Sequence, residues 1–343
     1  MSEPVSSREL GPISPSLLTR LACPLRIAFE QSLTGGTSTS SDEAVLGSVA
    51  HRAIELALKG RDLDEAWSES CEEERARTDA DPRTYAAARR TLLRLQKHVP
   101  RLLELLSSMS ESERLLETWF ETPDSALGGK PDLVVVRGDN TAAVIDYKTG
   151  LVTSDDGVKS AYIRQLLFYG ALVYECLHAV PVILALLSLR EGVVQVEPTS
   201  EGMAEVAAEA RASRSEFNGR VPGAQPANAS EENCQWCPFA AQCEAFWQGN
   251  EPHWVSSVGE AVRGTVETEP EHAASGVTTL QLLVSDGHLT GSMAIVAGIP
   301  TELVAHVGVG SVVGALDLRI RSEDPLVLTW TNRASALTRV AVR

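Results

Sequence analysis

Lysine is scarce in this chain: 343 residues carry 5 lysines against 25 arginines, a bias of the kind genome composition produces. A lysine inside a motif is therefore conspicuous. Positive charge is short overall. The formal net charge of −16 excludes a broadly basic coat for nonspecific nucleic-acid binding, leaving room for a local basic groove or bound cations. No apolar run approaches the ~20 residues that a membrane-spanning helix needs. The first residues are polar and acidic rather than leader-like, so a cytoplasmic protein with no membrane partner is expected. Six cysteines in a cytosolic chain of this size do not suggest a disulfide framework, and clustering among them points to metal or redox use. Cys71 and Cys176 fall in helical patterns and read as ordinary thiols. A hydrophobic content of 43% is that of an ordinary globular protein, and the length suggests two domains.

Residues 128–150, GGKPDLVVVRGDNTAAVIDYKTG, hold the densest chemistry. Two apolar runs, 133–136 and 142–145, flank Gly138-Asp139-Asn140, which is a β-hairpin signal. Asp132 opens one strand, and Asp146 and Lys148 end the other. Residues two apart on a strand share a face, so Asp146 and Lys148 should point the same way. Two carboxylates and an amine at one end of a hairpin suit a divalent-cation site with a charge-stabilising lysine. The bland alternative is a hairpin with solvated charges at its ends.

The flanking segments read as follows. Residues 1–11 are expected to be disordered. Ser14-Pro15 starts a helix as N-cap and first residue, and Pro24, after Cys23, kinks or restarts it. A Gly/Ser/Thr loop over 32–42 precedes a second helix with His51 in its middle. Residues 62–106 form two or three charged helices interrupted near 79–82. Their Arg83, Arg89, Arg90, Arg94 and Lys97 either line a nucleic-acid path or form a solvated face. Residues 114–123 alternate as a strand from which Glu117 or Glu121 could approach the acids of the hairpin, and the sequence does not choose between them. After a polar loop over 151–160 comes a strong helix in which Gln165 and Tyr169, four apart, share a face. Residues 182–199 read as a further hairpin and 201–220 as an amphipathic helix.

Pro131-Asp132, a thirteen-residue gap and Asp146-Tyr147-Lys148 together resemble the motif of the PD-(D/E)XK nuclease superfamily. Gly47-x-x-x-His51-x-x-Ile54-Glu55 resembles the first motif of its RecB-like members, and Gln165-x-x-x-Tyr169 the last. The resemblance implies an α/β fold: a restriction-endonuclease-like core with a mixed central sheet flanked by helices. It implies a metal-dependent DNA nuclease, an exonuclease on single-stranded or end-containing DNA, serving repair, recombination or defence. His51, Asp132, Asp146 and the backbone carbonyl of Tyr147 would hold Mg²⁺ or Mn²⁺. Lys148 would help activate the attacking water and offset charge, while Gln165 and Tyr169 orient the strand. The alternative is a DNA-binding or scaffold subunit of a helicase or defence-system complex.

Residues 233–247 read NCQWCPFAAQCEAFW, a Cys234-x2-Cys237-x5-Cys243 array. Three thiolates this close are a metal-binding signal, and Cys23 is the candidate fourth ligand. One distant N-terminal cysteine with such an array resembles the iron–sulfur nucleases, among them AddB-type domains and CRISPR-associated RecB-like exonucleases. That resemblance implies a [4Fe–4S] cluster, with Zn as the runner-up. Trp236, Phe239, Phe246 and Trp247 would shield it. These features place a nuclease domain over 12–248.

Residues 249–343 change character. Five short β runs, with a small helical segment after the third, suggest an all-β OB-like barrel, a fold often used for single-stranded nucleic acid. Its aromatics are few, chiefly Trp254 and Trp330. Arg263, Arg319, Arg321 and Arg333 could track a backbone, and protein contact is the competing use.

Overall fold

The computed structural model describes residues 6–32, 41–107, 109, 112–235, 237–249, 254, 259–331 and 340–342. Residues 1–5 of the expected disordered terminus, most of the 32–42 loop, Trp236 and Arg333 lie outside the described residues. Residues 6–11, also expected to be disordered, are instead tied down. Leu10 is buried and donates its N–H to Asn218 Oδ1 at 2.7 Å, and Arg214 Nε donates to the Gly11 carbonyl at 2.9 Å.

Ser14 caps α1 (Pro15–Arg20) by accepting the Leu17 N–H, and Pro24 restarts the chain as α2 (Pro24–Ser32). Ser41 caps α3 (Asp42–Leu58), and Asp42 and Glu43 in the first turn suit the positive end of its dipole. Helix α4 (Leu63–Thr78) stops at Asp79, whose φ of 61° is left-handed, and α5 (Ala88–Ser107) follows. Then come β1 (Ser112–Leu116), β2 (Phe120–Glu121), β3 (Gly128–Gly129), β4 (Leu133–Arg137) and β5 (Thr141–Lys148). A small hairpin, β6 (Thr153–Ser154) with β7 (Gly157–Val158), interrupts what reads from sequence as a plain polar loop. Helix α6 (Ser160–Leu177), β8 (Val180–Ser188), β9 (Gly192–Val196) and α7 (Ser200–Asn218) complete this part.

Contacts divide the chain into two compact units: residues 9–19 with 39–219, and residues 1–8, 20–38 and 220–343. The first is a five-stranded mixed sheet in the order β1-β4-β5-β8-β9, parallel between β5 and β8 and antiparallel elsewhere. A parallel pair needs a crossover, and α6 is it. Alternate residues of the central strands (Leu133, Val135, Ile145, Leu187) share one core with Ile54, Leu95 and Leu102 from the α3–α5 layer. The run expected as one strand over 114–123 is split, because Glu117 sits at φ 47° between β1 and β2. Pairing nonetheless keeps one register across the break. Leu116 opposes Leu133, Glu117 N–H reaches the Asp132 carbonyl at 3.1 Å, and Phe120 opposes Gly129.

The second unit holds α8 (Glu231–Cys234), α9 (Glu244–Gly249) and the C-terminal strands. These are β10 (Glu260–Val266), β11 (Glu271–His272), β12 (Val277–Asp286), β13 (Met293–Pro300), β14 (Val312–Glu323), β15 (Leu326–Thr329) and β16 (Val340–Val342), with α10 (Thr301–Val304) after β13. Five of them close a barrel in the order β10-β12-β13-β15-β14, with β14 pairing back to β10. Only the β13–β15 pair is parallel among these contacts. Val262, Leu280, Val296, Leu318, Leu328 and Trp330 fill its interior. The short edge strands β11 and β16 carry no alternation long enough to read from sequence. By contact, Cys23 and the 234–243 segment group with this unit, whereas the sequence boundary near 248 joins them to the nuclease region.

Gly264 shows how tightly the barrel closes. A Cβ there would stand 2.4 Å from the Leu283 carbonyl oxygen, at the register shift where β10 passes β12. Backbone, not a mobile side chain, would have to move. Gly264→Ala is therefore expected to destabilise the barrel by about 2 kcal/mol. A wild-type thermal midpoint by circular dichroism would contradict this packing.

Candidate active site

The catalytic candidates come from one end of the sheet and the helix laid over it. Asp132 immediately precedes β4, Asp146 and Lys148 end β5, His51 is mid-α3, and Gln165 and Tyr169 are on α6. Asp132 is 8% exposed. Its Oδ2 accepts the Tyr147 N–H, and its Oδ1 lies 3.2 Å from His51 Nδ1. The Tyr147 side chain packs in the core under α3, with its ring edge-on to His51 at 5.5 Å, so only its backbone faces the acids. Asp146, 3% exposed, lies 2.6 Å from Lys148 Nζ and accepts the Gln165 amide at 3.1 Å. The two-residue spacing on one strand face thus brings Asp146 and Lys148 together as expected.

Glu117 is the addition. Its carboxylate, an Asp132 oxygen and a His51 nitrogen can all lie within 4.8 Å of one another. Glu121, the other candidate, is exposed on β2 and pairs opposite Gly128. Only the antiparallel register, which puts Glu117 across from Asp132, decides between the two. Glu117 also forms an ion pair with Lys130. A cleft lined by Gly47, Ser48, His51, Arg52, Glu117 and Lys130 opens beside this group. Gly47 has room for a Cβ, the nearest atom being a Thr149 methyl at 3.9 Å, so its bareness keeps the cleft open rather than admitting a close neighbour.

Burial dominates the electrostatics. It pushes Asp146 up to about 6, helped by the nearby Asp132 charge and opposed by Lys148. Burial works against a charged His51, but the hydrogen bond to Asp132 and the charges of Asp132, Asp146 and Glu117 outweigh it and raise its pKa. Burial likewise raises Tyr169, whose hydroxyl donates to the Lys130 carbonyl at 3.4 Å. Tyr169 and Gln165 therefore brace the site from behind. Asp146 Oδ2 is buried and takes no hydrogen bond of good geometry, Lys148 meeting it only as an ion pair. Hard carboxylate oxygens and an imidazole nitrogen fit a divalent cation of the Mg²⁺ or Mn²⁺ type.

The basic residues expected to line a nucleic-acid path divide. Arg83 is tied to Asp81 and Glu72, whereas Arg89, Arg90 and Lys97 are exposed on α5. In the barrel, Arg263 is buried between Glu244 and Asp286, so the expectation that it tracks a backbone is corrected. Trp330 is in the barrel core, and Trp254 packs on Phe246. In the same unit Cys23, Cys234, Cys237 and Cys243 line one pocket with Phe239 and Phe246. Without metal, burial raises the thiols of Cys234, Cys237 and Cys243, the first to about 11. Among the described residues no three of these sulfurs are grouped within 4.8 Å of one another, unlike the ligand atoms of His51, Glu117 and Asp132, so the pocket by itself does not show a metal or cluster site.

Cation binding should be pH-dependent. Asp146 must lose a proton that it holds up to about pH 6, and His51 one that it holds more tightly than an ordinary histidine. Lowering the pH from about 7.5 to 5.5 restores both protons and is expected to weaken Mn²⁺ binding about tenfold or more. Calorimetric titration in buffers of differing ionisation enthalpy would show proton release, and a pH-independent Kd would contradict this electrostatic picture.

No curated protein matches the chain. Among solved structures it is similar to one described as "Putative exonuclease" from Eubacterium rectale, with a TM-score of 0.42, 14% identity, and coverage of 69% of this chain and 87% of that one. It is similar to SSO0001 at TM-score 0.28 and 17% identity, covering 67% and 95%. A third likeness, to the N-terminal domain of PriB protein from Thermoanaerobacter tencongensis, covers 26% of this chain and 98% of that one at TM-score 0.17 and 18% identity. All three TM-scores are below 0.5, so family membership rests on sequence. The model of the PD-(D/E)XK nuclease superfamily matches residues 12–244, well over half of the chain and all of the candidate active site. The chain belongs to the PD-(D/E)XK nuclease superfamily.

Proposed function

We propose that this chain is a Mg²⁺- or Mn²⁺-dependent deoxyribonuclease of RecB-like type that trims DNA as an exonuclease, acting on single strands or free ends. The observation that carries this reading is the convergence of His51, Glu117 and Asp132 within 4.8 Å beside the Asp146–Lys148 pair. His51, Glu117, Asp132, Asp146 and the Tyr147 carbonyl would hold the cation. A cation bound there supplies Lewis-acid stabilisation of charge developing on the phosphate. Lys148, held by Asp146 and lying 5.3 Å from the centroid of the Tyr162 ring, is positioned to orient the attacking water and to offset that charge. Gln165 fixes the Asp146 carboxylate, and Tyr169 fixes the Lys130 backbone.

The same reading gives the four cysteines a [4Fe–4S] cluster, with zinc as the alternative, in a structural role. The barrel's strand order, with its parallel third and fifth strands, supports an OB-like assignment. The burial of Trp330 and the pairing of Arg263 favour protein contact over single-stranded nucleic acid as its use.

Lys148→Ala is expected to lower Mg²⁺-dependent cleavage of end-labelled DNA by at least about a hundredfold while leaving the circular dichroism spectrum unchanged. Cleavage at the wild-type rate would sink the mechanism. Anaerobically purified protein should carry iron and acid-labile sulfide at about four each per chain, and stoichiometric zinc would replace the cluster assignment.

A further inference from the structure

Trp119 has no part in the site described above. It is two residues beyond Glu117 and 55% exposed, although the Phe120 next to it is buried. Its indole packs against bare backbone. A Cβ at Gly128 would meet the Trp119 ring at 2.7 Å and Pro12 Cβ at 2.8 Å. Glycine at 128 is thus what lets the ring approach β3 while over half of the residue stays open to solvent. The register that sets Glu117 across from Asp132 and Phe120 across from Gly129 also sets Trp119 across from Lys130. Lys130 lines the cleft and pairs with Glu117. The order along this strand pair is therefore Trp119 with Lys130, then Glu117 with Asp132 two residues on. At about 3.3 Å rise per residue, the Trp119 backbone stands about 7 Å along the strands from Glu117 and Asp132, and its ring, leaning on Gly128 four residues from Asp132, reaches out to about 13 Å. That is about two to four nucleotides at the ~3.4 Å spacing of a stacked strand.

We infer that Trp119 is the base-stacking residue of this nuclease: it receives a nucleobase of single-stranded DNA about two to four nucleotides from the scissile phosphate. An exposed indole beside a charged cleft has the attributes of a stacking platform. Such stacking is tolerant of sequence, because every base presents a π face. A paired base inside a duplex cannot present that face, so the platform selects unpaired ends. The inference rests on the nuclease reading above and names its substrate class.

The test uses full-length wild type, Trp119→Ala and Trp119→Phe with Mn²⁺ and single-stranded oligonucleotides, either intact or carrying one abasic residue at successive positions. For intact substrate, Trp119→Ala is expected to raise KM about tenfold with kcat within about twofold, and Trp119→Phe to recover most of the loss. In wild type, an abasic residue about two to four nucleotides from the cut should raise KM by a similar factor. In Trp119→Ala the same abasic residue should add nothing, an epistasis that a merely structural tryptophan would not produce. An unchanged KM in Trp119→Ala, or equal abasic penalties in both proteins at every position, would overturn the inference. If wild type cleaves nothing, the nuclease reading fails separately. Fluorescence anisotropy of a labelled oligonucleotide with Ca²⁺ then decides the stacking: about tenfold weaker binding by Trp119→Ala supports it, and equal affinity overturns it.

Discussion

One buried carboxylate, that of Asp132, holds the candidate active site in register. One of its oxygens accepts the Tyr147 N–H from β5, and the other faces His51 on α3. The entry to one central strand, the end of the next and the helix above both are thereby fixed to a single charge. A buried carboxylate is tolerated only when hydrogen-bonded or paired, so the folded chain has little freedom to move any of the three. The backbone of residue 147 is held in place while its ring packs away in the core. This is why a bulky aromatic side chain can sit between Asp146 and Lys148 of the candidate site.

The cost of this arrangement is crowding of like charge. Asp132, Asp146 and Glu117 approach one another in a partly desolvated corner, and the chain answers with His51, Lys148 and Lys130 as counter-charges. The scarcity of lysine sharpens the point: two of five lysines serve this one corner. Without a cation the site keeps a proton on Asp146 to higher pH than usual and strengthens the proton on His51. A divalent cation held there would relieve both, coupling metal loading to proton release.

The second unit obeys different constraints. Its barrel is closed by β14 returning to β10, and its conspicuous polar feature, Arg263, is tied inward to Glu244 and Asp286. Glu244 adjoins Cys243, so the arginine links the cysteine segment to the barrel wall. Trp247 adds to that link by packing where a Cβ on Gly314 would fall. The cysteine pocket and the barrel thus share side chains within one compact unit.

Local sequence determined a good deal. Proline and serine placed the helix starts, two apolar runs around Gly138-Asp139-Asn140 placed the hairpin, and the spacing of Asp146 and Lys148 put an acid and an amine on one strand face. The five barrel strands were legible as apolar runs of four to twelve residues, while β11 and β16, at two and three, are too short to leave a pattern. Order within residues 6–11 was not legible, because Leu10 is anchored by Asn218, 208 positions away. The choice of Glu117 over Glu121 was not legible either, nor the place of Trp119 beside Lys130. Both follow from which residue of β1–β2 lies opposite which residue of β3–β4. A side-chain period of two says which residues share a face but not what they oppose. Opposition is a property of the strand pair, and only tertiary structure supplies it.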